Sequence, residues 1–75
     1  MMNKNLSSVH VGASAEVIAL NSDGLSNRRF LDLGLVPGTK ITCLYSAPSG
    51  NPRAYLVRGA VIALRLNDAN IVLIS

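Results

Sequence analysis

A glycine directly behind an apolar, helix-like run constrains this chain more than any other feature. The run holds Phe30, Leu31 and Leu33. Gly34 follows where a helix needs a residue that takes positive φ and bonds the last free carbonyls. With Gly34 just past the cap, Leu35 and Phe30 become the pair whose contact completes a Schellman stop. Pro37 can donate to neither a helix nor a ladder, and Pro37-Gly38 fits the two central positions of a type II turn. From Lys40 to Ser46 the apolar period drops to two, with Ile41, Cys43 and Tyr45 on one face and Lys40, Thr42 and Ser46 on the other. A helix stops, the chain turns and a sheet resumes within a handful of residues.

Upstream of that hinge, residues 1–12 form a partly irregular polar segment anchored by Leu6, Val9 and Val11. Ser14 to Leu20 is a first strand with two candidate inward sets, Ala15/Val17/Ala19 and Glu16/Ile18/Leu20. Asn21-Ser22-Asp23-Gly24 is a turn cluster, and Ser22, Asp23 and Ser26 are the candidate caps of a helix predicted from Leu25 to Leu33. Arg28 and Arg29 fall on its exposed side.

Downstream, Ala47-Pro48-Ser49-Gly50-Asn51-Pro52 ends the second strand in a fixed, exposed loop. A third strand covers Arg53 to Arg58 with Tyr55 and Val57 inward. Gly59 permits a sharp bend or a bulge, and Ala60 to Arg65 makes a fourth strand with Ile62 and Leu64 inward. Asn67-Asp68-Ala69 reads as a 3₁₀-like turn and Asn70 to Ile74 as a last strand. The expectation is mainly β: a small, strongly bent five-stranded barrel with one short α-helix between its first and second strands.

At 75 residues the chain makes one domain, residues 1–75. A chain of this length buries only about 60% of the surface it exposes when unfolded. Aromatic residues make up 4%, so Val, Ile, Leu and Ala must build the core. Cys43 is the single cysteine, which excludes an internal disulfide framework and suits a reducing compartment. Arg58, Arg65 and Asp68 interrupt the apolar C-terminal half, so no run approaches the roughly 18 residues of a membrane span. Met1-Met2-Asn3-Lys4-Asn5 lacks the apolar core of a signal peptide. These features predict a soluble, intracellular domain. The net charge of +3 favours an acidic partner or an anionic membrane surface and is too small to argue nucleic acid.

Several short motifs in fixed order carry a resemblance. They are Leu31-x-Leu33-Gly34-Leu35-x-Pro37-Gly38, then Ala47-Pro48-x-Gly50-x-Pro52, then Arg58-Gly59 and Ala63-Leu64-Arg65 ahead of a helical turn and a final strand. Each alone is weak, but the ordered set resembles the FeoA family, the small cytosolic companions of the bacterial ferrous-iron transporter FeoB. Two positions depart from the family's usual loop. Ser49 stands where a bulky apolar residue is common, and Asn51 where an acid is common. The resemblance implies an SH3-like barrel at the cytoplasmic face of the cell membrane. It also implies a non-catalytic adaptor or regulator of ferrous-iron uptake, acting on the cytosolic part of the transporter without a cofactor. The C-terminal domain of iron-dependent repressors looks similar too, but those proteins carry a DNA-binding helix pair ahead of the barrel.

The remaining residues offer little chemistry. Cys43 lies mid-strand on the apolar face and reads as a small hydrophobe. His10 sits in the irregular segment, and Glu16, Asp23, Asp32 and Asp68 are scattered over four elements, so neither a catalytic set nor a metal site is expected. Gly34, Gly38 and Gly50 are explained by turns, and none opens a phosphate-binding helix. Tyr45 and Tyr55 fit inward positions, which leaves no stacking platform; a small-barrel nucleic-acid binder or metalloregulator-type domain is the alternative function. A partner surface remains: Pro48, Ser49, Gly50, Asn51 and Pro52 form a loop with little entropy to lose on docking, and Arg53 is the basic residue placed to steer the approach.

Overall fold

A computed structural model describes residues 4–21 and 24–75 of the chain. The elements, in chain order, are β1 (Lys4–Asn5), a 3₁₀ turn (Leu6–Ser8), β2 (Ser14–Leu20), α1 (Gly24–Asp32), β3 (Lys40–Ser46), β4 (Arg53–Val57), β5 (Ala60–Leu64), α2 (Leu66–Ala69) and β6 (Val72–Ile74). The candidate caps Ser22 and Asp23 lie outside the described residues.

The strands form one antiparallel sheet in the order β1-β6-β2-β3-β4-β5. The sheet differs from the expected five-stranded barrel in two ways. Among the described residues the sheet has six strands, because Lys4 and Asn5 pair with Ile74 and Leu73. A two-residue strand has no period of its own to betray it; only its partner defines it. The sheet is also not closed, since β1 and β5 are both edges.

α1 ends as the glycine requires. Gly34 has φ 94°. Its N–H donates to the Leu31 carbonyl at 3.0 Å, and the Leu35 N–H donates to the Phe30 carbonyl at 3.0 Å. These are the two bonds of a Schellman stop, and Phe30 and Leu35 are both buried in the core. The Thr39 N–H then closes the Val36-Pro37-Gly38-Thr39 turn on the Val36 carbonyl at 3.1 Å. Gly38 N–H to Val17 O at 2.8 Å and Val17 N–H to Thr39 O at 2.9 Å tie that turn to β2.

Two bulges reset the side-chain alternation. In β2 the register shifts between Val17 and Ala19. Val17 and Leu20 therefore both reach the core while Ile18 stays exposed, and neither alternating set describes the whole strand. In β3, Cys43 pairs with Tyr55 but Tyr45 pairs with Ala54, so one residue is inserted. That turns Tyr45 outward, 61% exposed, against its expected inward place. Of the three N-terminal anchors, Leu6 and Val9 are buried and Val11 is exposed.

The turn after β5 is α-helical rather than 3₁₀, with Ala69 N–H bonded to Arg65 O and Asn70 N–H to Leu66 O, each at 2.9 Å. Asn70 and Ile71 N–H groups close that turn, so the last strand begins at Val72. The core gathers Leu6, Val17, Phe30, Leu35, Ile41, Tyr55, Val57, Leu64 and Val72, with free Cys43 buried among them.

Candidate partner-binding site

The loop between β3 and β4 is held at both ends. Ala47 N–H donates to the Pro52 carbonyl at 3.0 Å, and Gly50 N–H to the Ala47 carbonyl at 2.7 Å. Gly50 has φ 85°, which a side chain rarely tolerates. The Ser49 hydroxyl donates to the Asn51 carbonyl at 2.9 Å. Asn51 Oδ1 accepts from the Leu66 N–H at 3.1 Å, so the loop also caps the first turn of α2. Pro48, Ser49, Asn51 and Pro52 are exposed. The result is a shaped backbone projection with one hydroxyl at its tip.

Arg53, the first residue of β4, turns inward. Its Nη1 donates to the carbonyls of Ser7 at 2.9 Å and Val9 at 3.1 Å. The guanidinium therefore ties the base of the loop to the N-terminal 3₁₀ turn, across the side that no ladder closes. Beneath it, Arg53 Nε and the Tyr55 hydroxyl are buried with no hydrogen-bond partner among the described residues. Burial pushes the Tyr55 phenol above its ordinary value, and Cys43 adds to that, while the Arg53 charge opposes both. Alternation could have found this cluster: if Tyr55 and Val57 face inward, Arg53 must as well.

The exposed cations lie elsewhere. Arg58 has φ 52° and Gly59 φ 84°, the paired left-handed residues of a type I′ hairpin between β4 and β5. The Arg58 stem lies over Gly34. At this end of the β3–β4 pair, opposite the Pro48–Pro52 loop, a groove of about 500 Å³ opens. It is lined by Gly38, Thr39, Lys40, Thr42, Leu56, Arg58 and Gly59. The glycines of two separate motifs thus meet around a basic groove. The sequence pattern offered only the outward parity of Lys40, Thr42 and Leu56 as a signal for it. Arg28 and Arg29 are exposed, and Arg29 sits 3.8 Å from Asp68.

Among the described residues no three His, Cys, Asp or Glu side chains converge as metal ligands, and no helix is long and apolar enough to cross a membrane.

The FeoA domain family model matches residues 4–75. A fusion of Fe(2+) transport protein A with Fe(2+) transporter FeoB from Porphyromonas gingivalis is 33% identical over 64 residues, 85% of this chain. The chain spans only 8% of that relative's length. The NMR structure of a FeoA-like protein from Clostridium acetobutylicum superposes with a TM-score of 0.90 at 29% identity, covering 100% of this chain and 87% of that one. FeoA of Stenotrophomonas maltophilia, solved with zinc and described as an SH3 domain protein, gives a TM-score of 0.83 at 26% identity over 100% of this chain and 91% of that one. Manganese-dependent repressors share the fold at 15% and 16% identity. With the family's model covering almost its whole length and the fold reproduced by FeoA structures, this chain belongs to the FeoA domain family.

Proposed function

We propose that this protein is a non-catalytic regulator of ferrous-iron uptake that docks on the cytosolic part of a FeoB-type transporter. The observation that carries the reading is the fused relative, in which one polypeptide joins the two functions. Fusion keeps two modules at high effective concentration, which is useful when they act on each other. The docking surface is the Pro48–Pro52 loop. Its backbone is fixed by the bonds to Ala47 and Leu66, so little freedom is lost on binding. Arg53 serves the site from inside, bracing the base of the loop. The protein works at the cytoplasmic face of the membrane, and its partner is protein rather than nucleic acid.

Ser49 at the loop tip is the place to test. A large apolar side chain entering a pocket contributes roughly 1.5–3 kcal/mol. Ser49→Leu is expected to tighten binding to the isolated cytosolic domain of the transporter by about ten- to a hundredfold in calorimetry, with nucleotide present and absent. No complex with either protein, in either nucleotide state, would refute the docking reading. A complex of equal strength with both would move the contact off the loop.

A further inference from the structure

β5 is an unguarded edge. Sheet edges in soluble proteins are blunted by shortness, by charge, by proline or by a bulge, because a bare edge invites another strand. The opposite edge, β1, is only two residues long. β5 has five residues, Ala60-Val61-Ile62-Ala63-Leu64, with no charge and no proline, and its pairing with β4 shows no shift of register. Among the described residues its backbone bonds to no segment but β4. The side chains on the outer face add to this. Thr42, Leu56 and Val61 form one cross-strand row and Tyr45, Ala54 and Ala63 another. Val61 is 57% exposed and Tyr45 61%.

The charges around the edge say what would cover it. Arg58 precedes β5 and Arg65 follows it, both exposed, and among the described residues neither forms an ion pair. Lys40 lines the groove beside Arg58. Among the described residues its cross-strand neighbour Glu16 is the one acid paired to this face, and the two form no ion pair within 4.0 Å. A second copy is a poor fit. Antiparallel self-pairing centred on Ile62 would set Arg65 of each copy beside the Arg58-Gly59 turn of the other, juxtaposing like charges.

We infer that β5 accepts an extended segment of a partner protein whose alternating apolar side chains are bracketed by carboxylates, completed as an added strand. Main-chain bonds to β5 supply the pairing, Val61 and Ala63 meet the apolar side chains, and Arg58 and Arg65 fix register and polarity through the acids. This surface is distinct from the Pro48–Pro52 loop, and the inference stands whether or not that loop meets a transporter.

The test uses the full chain, isotope-labelled, with two synthetic peptides. One reads Glu-Thr-Val-Thr-Val-Thr-Asp, and the other replaces both acids with lysine. With the acidic peptide, NMR shift changes should concentrate on Ala60–Leu64. Amides of β5 not bonded to β4 should exchange more slowly, and affinity should fall as salt rises. Arg58→Asn keeps a residue that tolerates left-handed backbone while removing the charge, and Val61→Lys guards the edge. Each should fold with an unchanged melting temperature or better and weaken the acidic peptide by about tenfold or more, the effect of one lost charged contact. Equal binding of the lysine peptide, or shift changes centred elsewhere, would overturn the inference. So would a concentration-dependent dimer in sedimentation that Val61→Lys abolishes, because the occupant would then be a second copy.

Discussion

The Tyr55 hydroxyl is the single group whose surroundings and chemistry disagree most. It is buried against the core with no hydrogen-bond partner among the described residues. An unsatisfied buried hydroxyl costs about 1–3 kcal/mol, so Tyr55→Phe should stabilise the protein by about 1 kcal/mol in urea denaturation at neutral pH. The variant should also change the response to alkali. The ordinary phenol titrates at 10.0, and burial raises the folded value above that. Below the ordinary value both states keep the proton. As the pH rises past it the unfolded chain ionises first, so stability falls until the folded group also ionises. Denaturation midpoints should therefore decline more steeply above that pH in the native protein than in Tyr55→Phe. Identical curves would mean that the hydroxyl is solvated.

At the scale of elements, stops and bulges matter more than propensity. Gly34 ends α1 with φ 94°. An added Cβ would meet Val57 Cγ1 and the Arg58 Cδ at 3.4 Å, ordinary contact, so space is not what demands glycine here. The backbone conformation is. Gly34→Val should cost on the order of 1–2 kcal/mol in chemical denaturation, and an unchanged midpoint would contradict the left-handed stop. The two bulges act in the opposite sense. They insert one residue where hydrophobic alternation predicts none, which is why Tyr45 points outward although Cys43 faces in, and why Leu20 reaches the core although Val17 does too. The loop between β3 and β4 shows a third effect. Asn51 caps α2 from a distance, so cutting the loop to a two-residue turn would disturb α2 as well as any partner contact. A point change at Ser49 probes docking more cleanly.

For the whole molecule, the open side of the sheet is the weak point and Arg53 spans it. The side chain bonds two carbonyls of the N-terminal segment. Hydrogen bonds from a charged group contribute about 1.5–3 kcal/mol, and Arg53→Met should cost about that much. It should also speed amide exchange in residues 4–9, and Arg53→Lys should recover little, because one ammonium lacks the planar fork. Full stability in Arg53→Met would show that α2 and the 3₁₀ turn hold this side alone. The sequence by itself determined the helix stop, the Pro37-Gly38 turn, the positions of five strands, the rigid loop and the family. Each of these rests on local backbone chemistry or on side-chain period within one segment. Tertiary structure alone decided the sixth strand, the open sheet, the outward Tyr45, and the meeting of Gly38 with Arg58-Gly59 around a basic groove. All four depend on which segment lies beside which, and pairing partners far apart in the chain leave no mark on either partner's own pattern.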